Sequence, residues 1–375
     1  MRNEMNSNSK SAMTVQSTLD RGILHRNQKL EKERSVVVPL SLSKDAVALP
    51  DSLLKISSER LGHALSTKPG FTDLALLKQI ENNAYQSAGA GWFDKKEIES
   101  IGKVQTAYCA DTKQLYAAIA SSNPVNIYLT AGNYVLNDPL FIKKTVSLHS
   151  ANKKIISFTT ENIPSVFVIE GNGNLVLNNL ELDGKNIKAT HFISSTTNGS
   201  SDHYNLSIIH STVNNLDRRN GCETFFDAYK SIVADSIIIR NSSFGDLNAD
   251  FFAMNDEKDD KGYYNAEQVI IENNNFNTIN GVIMTIYRGG NDESTMGPKL
   301  VFQKNKLAAV NSGQTPLISL TGVQVSGMSS NSFTNCNATG ILVKYSDKVR
   351  ARHHFSANQT INSGRVDKDQ FVMEE

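Results

Sequence analysis

The chain has 375 residues, with 38 basic and 38 acidic side chains and a formal net charge of zero. That balance argues against a nucleic-acid binder, which needs a basic field, and against an acidic solvating tail. Cys109, Cys222 and Cys336 are too few and too scattered for a disulfide framework or a zinc site, although one disulfide stays open.

No apolar run approaches the roughly 20 residues needed to cross a bilayer, so no membrane span is expected. The start, "MRNEMNSNSKSAMTVQ", has no apolar stretch of the kind a secretion signal needs, so no signal peptide is expected in this stretch, which could equally open a mature form or a fragment whose export signal is missing. Asn, Val, Ile, Ser and Thr are common, a bias toward strands joined by Asn-lined turns.

Residues 1–104 read as a linker-like, partly helical region. "RNQKLEKERS" (26–35) is charged and exposed in character. "DLALLKQIENNAYQ" (73–86) places Leu74, Leu76, Leu77 and Ile80 at helical spacing, with Asp73 as its cap. "AGAGWFD" (88–94) is a joint that carries the only Trp. A second region, 105–375, opens with "DTKQLYAAIASSNPVNIYLTAGNYVL" (111–136). Leu115, Ala118 and Ile119 predict a short amphipathic helix, followed by strand, tight Gly turn and strand. A helix in that place caps the open end of a stack of strands, where sheet edge and core would otherwise be bare.

A repeat then sets in: "LVLNNLELDG" (175–184), "LSIIHSTVNNL" (206–216), "SIIIRNSSFGDL" (236–247), "QVIIENNNFNTI" (268–279), "KLVFQKNKLAAV" (299–310) and "VQVSGMSSNSFTNC" (323–336). Each copy has alternating apolar residues, a polar pair that often holds Asn, then an apolar anchor. The anchors Leu180, Val213, Phe244, Phe276, Leu307 and Phe333 are separated by 33, 31, 32, 31 and 26 residues. Leucine-rich horseshoes have a shorter, Leu-dominated period, and propeller blades a longer one. The expected fold is therefore all-β: a right-handed parallel β-helix, a solenoid of about three short strands per coil. Asn residues at its bends satisfy backbone groups and form a ladder.

Such a solenoid tolerates insertions between coils, and chemistry collects there. In "FFDAYKSIVADS" (225–236), Tyr229 and Lys230 follow Asp227; the pair suits proton handling or a polymer contact, or else lies on a plain solvated strand. In "MNDEKDDKGYYN" (254–265), Glu257 and Asp259 alternate and would point the same way in an extended segment. That is a grip for a hard cation such as calcium, or else a self-neutralising loop. In "YRGGNDESTMGP" (287–298), Arg288 offers a fork for a sugar carboxylate, with Asp292 and Glu293 as further contacts or as its internal partners.

Together the repeats, "FFDAYKS", "NDEKDDKGYYNAEQVIIENNNF" and "YRGGNDESTMGP" resemble the family six polysaccharide lyases, the alginate lyase and chondroitinase B type, over about 105–370. "GAGWF" looks like the joint before the second, C-terminal β-helix of the two-domain alginate lyases. The resemblance implies a secreted or periplasmic protein acting on an acidic polysaccharide, alginate or a related uronate polymer. It implies calcium-assisted β-elimination, with an Asn and a Glu-x-Glu pair holding the ion, a Lys as base and an Arg at the leaving oxygen. Those residues belong to the first β-helix of the family. Here "GVIMTIYRGG" stands where Glu-x-Glu is expected, and Thr321 stands near the Arg position. Lys261 and Arg288 as catalytic groups, Glu257 and Asp259 as calcium ligands, and Tyr229, Lys230, Arg288 and Glu293 as substrate contacts are the nearest substitute. The alternative is a catalytically silent β-helix that binds acidic polysaccharide or supports a lyase.

Overall fold

The computed structural model describes residues 104–367, apart from 152–153, 200–202, 231, 258–264, 289–296 and 347–351. The segment 73–86 and the joint 88–94 lie outside the described residues.

The described chain is a parallel β-helix. Its strands form three sheets of ten, nine and nine members, and after the first strand every third strand returns to the same sheet. One coil shows the pattern. Val233–Arg240 lies in the first sheet, Ser243–Leu247 in the second and Asp250–Glu257 in the third. Gln268–Glu272 then returns to the first sheet and pairs in parallel with the preceding coil, Ile237 opposite Val269. Alternate side chains point inward, so each coil stacks its apolar residues on those of the next and one core runs through the stack. Phe167, Phe192, Phe225 and Phe251 make a file of rings in that core, with centroids 5.0 to 5.5 Å apart.

The repeat maps onto one inward row of the second sheet: Leu182, Val213, Phe244, Phe276, Leu307 and Phe333 stand in register. The first anchor is therefore Leu182 rather than Leu180. Leu180 sits at the corner two residues earlier, where its N–H donates to Ser211 Oγ at 3.2 Å.

That corner explains the regular period. One residue per coil turns left-handed there: Asn179, His210, Asn241, Asn273, Lys304, Ser330 and Ala357 have φ between 51° and 57°. Asn accepts this conformation readily, and the other residue types there are held in it by the stack. The next residue in the chain forms the expected ladder. Asn274 Nδ2 donates to the Ile239 carbonyl at 2.9 Å, and Asn305 Nδ2 to that of Ile271 at 2.9 Å. Asn305 Oδ1 receives the Asn274 N–H at 3.0 Å, and Asn331 Oδ1 receives the Asn305 N–H at 2.9 Å. Every rung thus satisfies backbone groups that the bend removes from the sheets.

The capping helix is Thr112–Ala120. Asp111 caps it by accepting the Gln114 N–H at 2.8 Å, and Leu115 and Ile119 are buried. It packs on Gln105–Cys109, Val125–Leu129, Asn133–Leu136 and Leu140–Ile142, and so closes the N-terminal end of the core. Cys109, Cys222 and Cys336 are free and buried, and burial pushes their thiols above the ordinary range. Among the described residues no helix is long and apolar enough to cross a membrane.

Candidate functional site

The third sheet carries most of the described candidates. Ile193, Phe226 and Phe252 make an inward row. The neighbouring row, Ser194, Asp227, Ala253, Thr285, Ser319 and Lys344, points outward and runs unbroken along the solenoid. Asp227 ends the strand Thr224–Asp227 and is half-buried, with its Oδ2 3.9 Å from His191 Nε2 on the preceding coil. His191 Nδ1 is buried without a hydrogen-bond partner. Ser165 and Ser194 share a hydrogen bond of 2.7 Å beside them. Just past the strand, Tyr229 is 42% exposed and Lys230 is exposed. The Tyr229 N–H donates to Ser195 Oγ at 3.0 Å, which fixes the backbone from which the ring projects.

The other candidates gather where the third sheet turns back to the first. Glu257 ends its strand after a bulge, and its backbone lies in register with that of Arg288 on the next coil. Along Met284–Arg288, Arg288 falls on the same side as the core residues Met284 and Ile286, and it is 1% exposed. It is packed under Gly322, which has φ 71° and whose missing Cβ leaves room for the Arg288 carbonyl. Asn265, 2% exposed, ties two coils together by donating Nδ2 to the carbonyls of Met254 at 3.4 Å and Tyr287 at 3.3 Å. Thr321 stands opposite Tyr287. Lys261, Asp259, Asp292 and Glu293 lie outside the described residues, as does the side chain of Glu257. Among the described residues no group of three His, Cys, Asp or Glu side chains gathers to hold a metal ion.

A file of ionisable residues borders the same turn at a spacing of 32 residues: His203, Asp235, Glu267 and Lys299. His203 Nδ1 lies 2.8 Å from Asp235 Oδ1. Burial, and then the charge of Asp235, push the Glu267 carboxyl above its ordinary value, against the opposing pull of Lys299 and His203.

His191 and Ser195 escaped the sequence reading. No motif marks them, and they meet Asp227 and Tyr229 only through the coil register. The only signal is spacing: Ser195 and Tyr229 are 34 residues apart, longer than the usual repeat, because the turn around Arg218–Asn220 lengthens that coil.

The fold is a parallel β-helix of the kind found in polysaccharide lyases. Comparison with solved structures gives it a PL6-like relationship. The chain matches the PL6 family alginate lyase AlyGC at 29% identity and a TM-score of 0.56, over 72% of this chain and 40% of that one. A mutant of AlyGC matches at 28% identity and a TM-score of 0.55, over 72% and 39%. The chain therefore spans about two-fifths of the length of these neighbours. No family model and no curated protein matches the sequence.

Proposed function

We propose that the chain binds an acidic polysaccharide, a uronate polymer with alginate as the first candidate, along the outer face of the third sheet. The observation that carries this reading is the exposed Tyr229–Lys230 pair just past the strand Thr224–Asp227, beside a sheet face that runs unbroken across six coils. An extended polymer suits a face that repeats along one axis. A tyrosine ring packs against sugar C–H groups, and an ammonium attracts a uronate carboxylate. The likeness to an alginate lyase supports the choice of polymer. Under this reading Arg288, 1% exposed, shapes the turn behind the site, and Tyr229 and Lys230 make the contacts. A uronate polymer met outside the cell would place the protein in the secreted or periplasmic space. Retardation in a gel containing alginate, absent in a gel containing a neutral glucan, tests the reading.

A second reading, β-elimination, is favoured by the register of Glu257 with Arg288, because Lys261 lies on the chain between those two positions. Lys261 would be the base and calcium held by Glu257 and Asp259 would neutralise the carboxylate, with Glu293 as a further substrate contact, while Arg288, 1% exposed, would support the turn rather than touch the leaving oxygen. Growth of ultraviolet absorbance from an unsaturated uronate product, with alginate and calcium present, would establish it. A flat trace at high protein concentration leaves the binding reading alone.

A further inference from the structure

The three outer faces of the solenoid differ in a way that the polymer site does not explain. On the second sheet, outward apolar side chains are open to water: Val135 is 51% and Ile155 57% exposed. On the first sheet, Val176, Ser207, Ile238 and Ile270 stand in register on four neighbouring strands. They alternate with the core residues Leu177, Ile208, Ile239 and Ile271, so they point away from the core. They are nevertheless only 2%, 2%, 1% and 0% exposed. The only α-helix among the described residues packs on the first four strands of the chain and does not reach them.

We propose that this face is a docking surface for the chain's own segment 73–86. The described chain begins at residue 104, with 103 residues before it, and its first strand, Gln105–Cys109, is the edge strand of this same sheet. The occupant is thus tethered beside its site, which gives it a high effective concentration.

The dimensions agree. The row continues to Val301, opposite Ile270, and five strands at about 4.8 Å spacing make it about 19 Å long. Fourteen residues as a helix measure about 21 Å. Leu74, Leu77, Ile80 and Ala84 fall on one stripe of that helix, about 120° wide. Residues 87–104 reach about 60 Å when extended. The strand of Val301 is seven strands from the edge, about 34 Å away.

The test uses the full chain with Ser207→Cys, since the native cysteines are buried. Maleimide labelling at this position is expected to be at least roughly tenfold slower than at Lys306→Cys, which is exposed on the second sheet. Adding Leu77→Asp and Ile80→Asp is expected to restore fast labelling. A Leu77→Cys, Ser207→Cys pair is expected to cross-link within one chain under mild oxidation. Fast labelling of Ser207→Cys alone would overturn the proposal. So would protection that persists in the Asp variants, or cross-linking only between two chains, which would make the occupant a second copy.

Discussion

Ser195 Oγ accepts the Tyr229 backbone N–H at 3.0 Å across two coils of the third sheet. Ser195 is 3% exposed while Tyr229 is 42% exposed, so a buried hydroxyl positions a ring that faces solvent. Ser195→Ala removes the acceptor and leaves the ring. A lost hydrogen bond of about 0.5–1.5 kcal/mol corresponds to about two- to tenfold weaker retention on alginate. Affinity electrophoresis across an alginate series measures it, and Tyr229→Phe, which keeps the backbone bond, is the control.

The Asn ladder predicts a graded stability series. Asn305 is fully buried and serves both Ile271 and Asn274. Asn305→Ala strands a carbonyl and an N–H in the core at a cost of about 2–4 kcal/mol. Asn305→Ser is expected to cost less, because Ser211 and Ser242 already occupy rungs of this ladder. Thermal unfolding followed by circular dichroism ranks the three proteins.

This ladder was legible in the sequence, because a period near 31 residues with Asn at most bends has few other physical readings. Its phase was less legible. "LNNLELDG" offers two leucines, and only strand register shows that Leu182 fills the core row while Leu180 turns the corner. The site was harder still. Tyr229 and Lys230 stood out as an insertion, but His191 and Ser195 lie a coil away, where no local pattern joins them. Arg288 looked like an exposed fork, and its burial follows from strand parity with Met284 and Ile286, which depends on where that strand begins.

Gly322 is expected to tolerate no side chain. It has φ 71°, and a Cβ there would run into the backbone carbonyl of Arg288. Gly313 has φ 70° with open space around it and serves as the control. Gly313→Ala carries backbone strain of about 1 kcal/mol, and Gly322→Ala carries that strain plus the clash. Melting temperatures of the two variants separate the terms, and equal losses would count against the packing of Arg288 beneath Gly322.

Glu267 gives a pH dependence of defined sign. Its carboxyl is raised in the folded chain, chiefly by burial. The folded state therefore holds its proton longer, and stability falls as pH rises from the ordinary glutamate value through the raised one. Glu267→Gln removes that loss. The variant is expected to melt above the parent at pH 7 and to lose the advantage below about pH 4. Melting curves at both pH values check it, and a gain that is the same at both would rule out this origin.

The polymer face is tested most directly by measuring the affinity of the full chain for alginate beside the Tyr229→Ala, Lys230→Ala double variant, with unchanged circular dichroism as the condition for comparison. The proposed function predicts salt-sensitive binding by the parent and a loss of at least roughly tenfold in the double variant, the size expected from losing one ring contact and one charge contact. Equal binding by the two proteins, or no binding by the parent, would contradict the assignment of the third sheet as a uronate-polymer site.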